Sequence, residues 1–174
     1  PCGFGKTVLA DALLRGRNVL RQSAADPDCA IPPSAQDWDI LLIDDLQLMQ
    51  EEAGQQALCE LIRSSPERHF VLLSRGVPPG CLTAFQYAGL MTVLEADDLL
   101  FDADDVRRLL RLYGVEAADS EIDGILKESV GYPLGVAITA RCMSQDKPWT
   151  PELVARVFRE VFLYFETAIY RRFD

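Results

Sequence analysis

The sequence predicts an α/β protein in which helices cover both faces of a parallel sheet, followed by a small all-helical subdomain. Two short apolar runs, at residues 39–45 and 69–75, have no polar face, which is typical of parallel strands buried under helices. After Phe101 the apolar residues recur only at helical spacing. We therefore place an α/β domain at residues 1–98. Residues 99–174 would form a helical lid and the start of a further domain.

Composition and charge narrow the function classes. The 174 residues are 49% hydrophobic and 25% charged, as in globular proteins. The net charge of −10 repels phosphate backbones, so we expect no direct binding of nucleic acid by this chain. Five scattered cysteines without a C-x-x-C pair predict neither a disulfide scaffold nor a zinc site. No apolar run is long enough to span a bilayer, and we expect a cytoplasmic protein without membrane contact.

The first residues match a phosphate-binding loop, G-x-x-x-x-G-K-[ST], from its second position onward. Gly3 and Gly5 let backbone N–H groups turn towards phosphate oxygens. Lys6 would contact the β- and γ-phosphates of a nucleotide, and the Thr7 hydroxyl would ligate Mg²⁺. A helix predicted over 7–14 would point its positive end at the same phosphates. The loop thus predicts an ATP/ADP site formed by Cys2, Gly3, Phe4, Gly5, Lys6, Thr7 and Val8.

The apolar run at 39–45 ends in two carboxylates, Asp44 and Asp45. The carboxyl ends of parallel strands are where α/β sheets bind ligands. Asp44 would hold Mg²⁺ through a water molecule, and Asp45 would orient or deprotonate an attacking water. Asp45 and Lys6 are the predicted catalytic residues. The alternative is that both carboxylates form a solvated strand end or the cap of a helix over 46–63.

The second apolar run, at 69–75, ends in Ser74 and Arg75. Arg75 is either a sensor of the γ-phosphate, through charge-assisted hydrogen bonds, or a surface arginine of the following loop. His69 at the start of this run is the only histidine, so we predict a structural role for it.

The remaining elements follow from local signals. We predict an edge strand at Val19–Ser23 and a further strand at Leu90–Glu95. Asp102 would cap a helix that ends at Gly114, with Val106, Leu109, Leu110 and Tyr113 on its apolar face. A second helix would begin at Asp119 or Ser120. Pro133 would open a helix over 133–143, and a last helix over 151–172 carries apolar residues on more than one face, so that it would pack on two neighbours.

Together these motifs resemble the nucleotide-binding region of STAND-type signalling ATPases, and most closely that of the maltose-regulator-like activators of the LuxR class. The resemblance covers nearly the whole chain. It rests on Pro1-Cys2-Gly3-Phe4-Gly5-Lys6-Thr7, Leu41-Leu42-Ile43-Asp44-Asp45-Leu46, Phe70-Val71-Leu72-Leu73-Ser74-Arg75, Leu94-Glu95-Ala96-Asp97-Asp98-Leu99 and Gly131-Tyr132-Pro133.

The resemblance implies a P-loop NTPase-type fold and a switch controlled by ATP and ADP. It implies Mg²⁺ at Asp44, γ-phosphate sensing by Arg75 and contact of Pro133 with the base side of the nucleotide. It also implies a transcriptional regulator with slow hydrolysis at most. Its partners would be other domains of the parent protein and a second copy in the ATP-bound state. DNA would be read only by a domain outside this chain.

Two other functions remain open at this point. An AAA+-like motor or loader would need an arginine of the helical part at the phosphates, and Arg107, Arg108 and Arg141 are the candidates. A nucleotide-free scaffold would keep the fold for protein contacts alone.

The sequence departs from the family pattern in two places. The strand before the phosphate loop and the first residue of the loop would precede Pro1, so we expect the sequence to be a piece of a longer chain. The connection from the edge strand to the Asp44 strand contains Pro32-Pro33 and is too short for the usual crossover helix. We therefore expect a break in the chain between Ser23 and Asp37.

Overall fold

The structure, a computed structural model, describes residues 2–33, 36–145 and 148–168. Within them the chain forms a three-stranded sheet and seven α-helices, arranged in two compact units. The first unit holds Cys2 and residues 6–94, and the second holds residues 3–5 and the chain from Glu95 onward. The predicted phosphate loop is thus divided, because its central residues group with the helical unit.

The sheet of the first unit is parallel throughout, as predicted. Its strands are β1 (Val19–Ser23), β2 (Ile40–Asp44) and β3 (His69–Leu72), in the order β1-β2-β3. The predicted edge strand is confirmed as β1. The apolar run before Asp44 is confirmed as the central strand, β2, which is paired on both sides.

Three α-helices belong to this unit: α1 (Lys6–Leu13), α2 (Glu52–Ser64) and α3 (Thr83–Tyr87). Side chains of a strand alternate between its two faces. On one face of β2, Leu41 and Ile43 pack in a cluster with Leu58 of α2. On the other face, Leu42 packs with Ala10 of α1. Helices therefore cover both faces of the sheet, which explains why the strand shows no polar face in the sequence.

Two predicted elements of the first unit are wrong or shorter than predicted. Residues 90–95 form no strand, and Leu90 and Leu94 are exposed. A β-rich composition is insufficient without a neighbouring strand to complete the hydrogen bonds. The helix predicted over 46–63 is a 3-10 helix at Leu46–Leu48 followed, after a gap, by α2.

The connection between β1 and β2 contains no helix in its described parts, 24–33 and 36–39. Residues 34 and 35, which fall inside the predicted chain break, lie outside the described residues. The break therefore stays a prediction.

The second unit contains α4 (Ala103–Leu112), α5 (Asp119–Ser129), α6 (Pro133–Met143) and α7 (Pro151–Ala168). Asp102 caps α4 by accepting a hydrogen bond from the Asp105 N–H, and Pro133 occupies the first turn of α6, both as predicted. The four helices share one core, built on Val106, Leu110, Ile122, Ile125, Val136, Leu153 and Val157. Tyr113, predicted to face inward, is 41% exposed because α4 ends at Leu112 and the chain turns away at Gly114.

Helix α7 has two apolar faces, and they differ in burial. Leu153 and Val157 are buried, whereas Phe158, Phe162 and Leu163 are exposed. Packing of both faces was predicted, and among the described residues only one face is covered. The predicted end of this helix, at residues 169–172, lies outside the described residues.

Candidate functional site

Parallel pairing brings the carboxyl ends of all three strands to one edge of the sheet. Hydrogen bonds continue beyond the strands there: Ala24 N–H donates to the Asp44 carbonyl oxygen (2.9 Å), and Leu46 N–H donates to the Leu73 carbonyl oxygen (2.9 Å). The segments that follow β2 and β3 are therefore held side by side at this edge. The chemistry-bearing residues predicted for the first unit lie on these segments and on the start of α1.

Thr7 and Asp44 meet at this edge. Thr7, in the first turn of α1, donates its hydroxyl hydrogen to Asp44 Oδ2 over 3.1 Å. Asp44 Oδ1 accepts from the Asp45 N–H at 2.7 Å. Lys6 is the first residue of the helix, and the first N–H groups of a helix have no acceptor within it. The site thus combines a hydroxyl, a carboxylate and the N–H groups at the start of a helix whose first residue is Lys6.

A cavity of about 430 Å³ lies beside the Thr7–Asp44 pair. Gln22 is one of its lining residues, and the Oε1 atom of Gln22 is buried and has no hydrogen-bond partner among the described residues. Burial, and then the charge of Asp26, raise the pKa of the Cys29 thiol at the same wall. The lining residues are Thr7, Arg21, Gln22, Ser23, Asp26, Asp28, Cys29, Leu42 and Asp44.

Asp45 has a left-handed backbone conformation, with φ 52° and ψ 37°. Aspartate tolerates this region better than most residues, yet the conformation is uncommon outside glycine. The Asp45 carboxylate is mostly buried, and its Oδ1 atom lies 3.1 Å from Nε of Arg75. Gln47 Nε2 donates to the same oxygen at 3.0 Å. The predicted general base is therefore held by a guanidinium and an amide.

Gln47 was not singled out by the sequence. Its Oε1 atom accepts from the Arg75 N–H at 2.9 Å and from the Ser74 hydroxyl at 3.4 Å. Arg75 in turn directs Nη1 towards the sulfur of Cys2, 3.9 Å away. In a sequence, a glutamine of a short 3-10 helix resembles any surface glutamine, because its contacts depend on the segment after β3, 28 residues further along the chain.

In the second unit the central residues of the predicted loop lie against the start of α6. Gly3 has φ 75°, and a Cβ atom there would lie 1.9 Å from Oη of Tyr132. Leu134 N–H donates to the Gly3 carbonyl oxygen at 3.2 Å. The rings of Phe4 and Tyr132 are 5.1 Å apart. Close approach and positive φ together explain why glycine occupies position 3.

The structure thus groups the predicted site residues into three sets. Thr7 lies with Asp44, and Arg75 lies with Asp45 and Cys2. Gly3 and Phe4 contact the residues on either side of Pro133, which is itself buried.

Other predicted residues take no part in these contacts. Gly5 has φ 73° with open space at its Cβ position, and the Val8 side chain is exposed. The arginines proposed for a motor form ion pairs within the second unit: Arg107 with Asp104 and Asp119, Arg108 with Asp105, and Arg141 with Glu160.

Two further findings concern the described residues only. They contain no helix long and apolar enough to cross a membrane. They also contain no group of three or more histidine, cysteine, aspartate or glutamate side chains arranged to hold a metal ion. Compared with known protein families and with curated proteins, the chain matches none of them.

Proposed function

We propose that this chain is an ATP- and ADP-binding switch domain of the P-loop NTPase type, with slow hydrolysis at most. The observation that carries the proposal is the hydrogen bond from Thr7 to Asp44. It joins the last residue of the loop motif to the carboxylate at the end of the central strand, 37 positions later. The loop motif and the strand-end carboxylate, which are far apart in the sequence, are therefore in contact in the structure.

The donor set at this place fits Mg²⁺. Mg²⁺ prefers hard oxygen ligands, keeps several waters and commonly binds through one or two carboxylates plus substrate phosphates. The Thr7 hydroxyl and the Asp44 carboxylate supply such oxygens beside an open cavity. Thr7 would hold the ion directly and Asp44 through water. When bound, the ion would neutralise charge on the β- and γ-phosphates.

The loop and the helix supply the phosphate contacts in this proposal. Lys6 would place its ammonium group against the β- and γ-phosphates, and the N–H groups at the start of α1 would donate to phosphate oxygens. The positive φ values of Gly3 and Gly5 support a loop whose N–H groups turn to one side.

The Asp45–Arg75 ion pair supports a switch role. A γ-phosphate would compete with Asp45 for the Arg75 guanidinium, and ADP offers no such competitor. ATP and ADP would then stabilise different arrangements of the same edge, which is the requirement for a ligand-controlled switch. Release from Arg75 would also leave Asp45 able to accept a proton from water.

The biological setting of this switch is proposed from the motif resemblance. The domain would belong to a bacterial-type transcriptional regulator and act on its other domains. ATP would favour self-association, and DNA would be bound by a domain outside this chain.

The test is calorimetric titration of the full-length protein with ATP and ADP, with and without Mg²⁺. Lys6→Ala removes charge-assisted hydrogen bonds worth about 1.5–3 kcal/mol each, so ATP affinity should fall by at least about tenfold. Lys127→Ala, which removes an exposed lysine of α5, is the matched control and should bind as the parent does. Parent protein that binds neither nucleotide would favour the scaffold function, and equal affinity of Lys6→Ala and parent would contradict the site.

A further inference from the structure

Gln47 uses both ends of its side-chain amide to join two predicted site residues. Its N–H₂ group donates to the Asp45 carboxylate, and its oxygen accepts from the Arg75 N–H and the Ser74 hydroxyl. A side-chain amide can donate and accept at once, whereas a carboxylate or an ammonium group cannot. The residue type at position 47 is therefore matched to this double contact.

The backbone that carries Gln47 is fixed at both flanks. Leu46 is buried, and its N–H donates to the Leu73 carbonyl oxygen at 2.9 Å. Leu48 N–H donates to the Asp45 carbonyl oxygen at 2.8 Å. The amide of Gln47 therefore projects from a segment anchored to the ends of β2 and β3.

Arg75 is held in two separate ways. Its backbone N–H bonds to Gln47, and its guanidinium pairs with Asp45 on the partly exposed side of the site. The Arg75 side chain is about one-third exposed, so its guanidinium can reach a ligand, and Asp45 would keep its hydrogen bond from Gln47 when the guanidinium moves away. The backbone contact does not have to break when it does so.

We propose that Gln47 is a positioning residue for nucleotide discrimination, holding the Arg75 backbone and the Asp45 carboxylate in place while the guanidinium moves from Asp45 to a γ-phosphate. This inference rests on the proposed function and deepens it. With ADP bound, the Asp45–Arg75 ion pair stays intact. With ATP bound, the γ-phosphate binds the Arg75 guanidinium, and Asp45 stays hydrogen-bonded to Gln47. The preference for ATP over ADP then depends on Gln47 as much as on Arg75.

The test compares the ratio of ADP to ATP dissociation constants, with Mg²⁺, in the full-length protein, in four single variants and in one double variant. Gln47→Met keeps the length of the side chain and removes its hydrogen bonds, and Gln47→Glu keeps the acceptor and removes the donor to Asp45. Arg75→Ala removes the sensor. Gln56→Met is the control, because Gln56 is exposed on α2 and bonds to Glu52 instead.

We expect Gln47→Met, Gln47→Glu and Arg75→Ala each to lower the ratio by fivefold or more, with ADP affinity within about twofold of the parent, whereas Gln56→Met keeps the parent ratio. The double variant Gln47→Met/Arg75→Ala should lose no more than Arg75→Ala alone, because the two residues act as one unit. A merely structural role of Gln47 would weaken ATP and ADP binding together.

Each outcome of this experiment supports or contradicts the role proposed for Gln47. A folded Gln47 variant that keeps the parent ratio while Arg75→Ala loses it overturns the inference and leaves the proposed function standing. Two variants of Gln47 are included so that a folding defect of one does not remove the test. Parent protein without affinity for either nucleotide overturns the proposed function and the inference together, and a parent ratio near one overturns the inference alone.

Discussion

Asp45 shows at the scale of one residue how neighbouring side chains can hold a carboxylate in an uncommon backbone conformation. Its left-handed backbone sets it apart from the β conformation of Asp44, one position earlier. Such conformations cost of order 1–3 kcal/mol and persist only where neighbours enforce them. Here Arg75 and Gln47 hold the side-chain carboxylate of Asp45, and the Leu48 N–H donates to the backbone carbonyl oxygen of Asp45.

Asp45→Asn should separate binding from turnover. The variant keeps an acceptor oxygen for Gln47 and loses the charge needed to take a proton from water. We expect ATP affinity to stay within a few-fold of the parent and hydrolysis to slow by about 100-fold or more, the scale on which a general base acts. The hydrolysis rate is measured by the release of inorganic phosphate under single-turnover conditions. Asp123→Asn, on α5 of the second unit, should hydrolyse at the parent rate, and unchanged turnover in Asp45→Asn would remove Asp45 from the mechanism.

At the scale of the element, α5 ends in a strained backbone conformation. Val130 follows the helix with φ 51°, and its N–H donates to the Leu126 carbonyl oxygen at 2.7 Å. A branched side chain strains this conformation, which glycine adopts freely. Gly131, the next residue, also has positive φ, and a Cβ there would lie 2.5 Å from the Phe101 carbonyl oxygen.

Val130→Gly should therefore stabilise the protein. The Val130 side chain is 72% exposed, so its removal gives up little apolar burial. Relief of the left-handed strain, about 1–2 kcal/mol, exceeds the roughly 0.5–1 kcal/mol entropic cost of glycine. We expect the melting temperature to rise by a few degrees in a thermal scan. Val77→Gly, in an exposed loop without positive φ, should lower it or leave it unchanged. A lower melting temperature for Val130→Gly would show that the strain is absent.

Elements were predictable from the sequence where local chemistry decides them. Helix α6 begins at Pro133 as predicted, because proline suits the first helical turn. Strand β2 was predictable because a short, unbroken apolar run that is too short for a typical helix favours a strand buried on both faces. The predicted strand at Leu90–Glu95 was wrong. Its residue types favour a strand, but no neighbouring strand pairs with it in the described residues, and no local sequence signal reveals whether such a partner exists.

The candidate site was predictable in its parts rather than in its connections. Thr7, Asp44 and Arg75 were singled out by motif and by strand end. The amide of Gln47 that joins Asp45 to Arg75 was missed, because it becomes recognisable only when the segments after β2 and β3 lie side by side.

At the scale of the whole molecule, an ion pair connects the consecutive helices α6 and α7 of the second unit. Glu160 of α7 accepts from Nε of Arg156 at 3.1 Å and pairs with Arg141 of α6. Partial burial opposes ionisation of Glu160, yet the hydrogen bonds and charges of Arg156 and Arg141 outweigh it and lower the pKa of this carboxyl. A carboxyl whose pKa is lower in the folded than in the unfolded chain stabilises the fold when ionised.

Glu160→Gln should change how stability depends on pH. The contribution of Glu160 is complete above its ordinary pKa of 4.5 and disappears as the pH falls through its lowered pKa. At pH 7 we expect Glu160→Gln to be less stable than the parent by at most about 1 kcal/mol, the scale of a partly exposed ion pair. The difference should shrink as the pH falls below 4.5. Urea unfolding over this range measures it, with Glu166→Gln, exposed on α7, as the control. A difference that is constant with pH would assign the effect to packing.

The position of β2 between two neighbouring strands has a consequence for local opening of the structure. Leu41 and Ile43 have no accessible surface, and β2 is hydrogen-bonded on both sides. Its amide hydrogens should therefore exchange with solvent only when the whole unit opens, whereas an eight-residue helix such as α1 frays in far smaller fluctuations. Asp44 belongs to the strand that we expect to exchange most slowly, and Thr7 to the helix that we expect to exchange faster. Rapid local opening would therefore separate the hydroxyl from a carboxylate that stays in place, and a nucleotide could enter without the sheet ever coming apart.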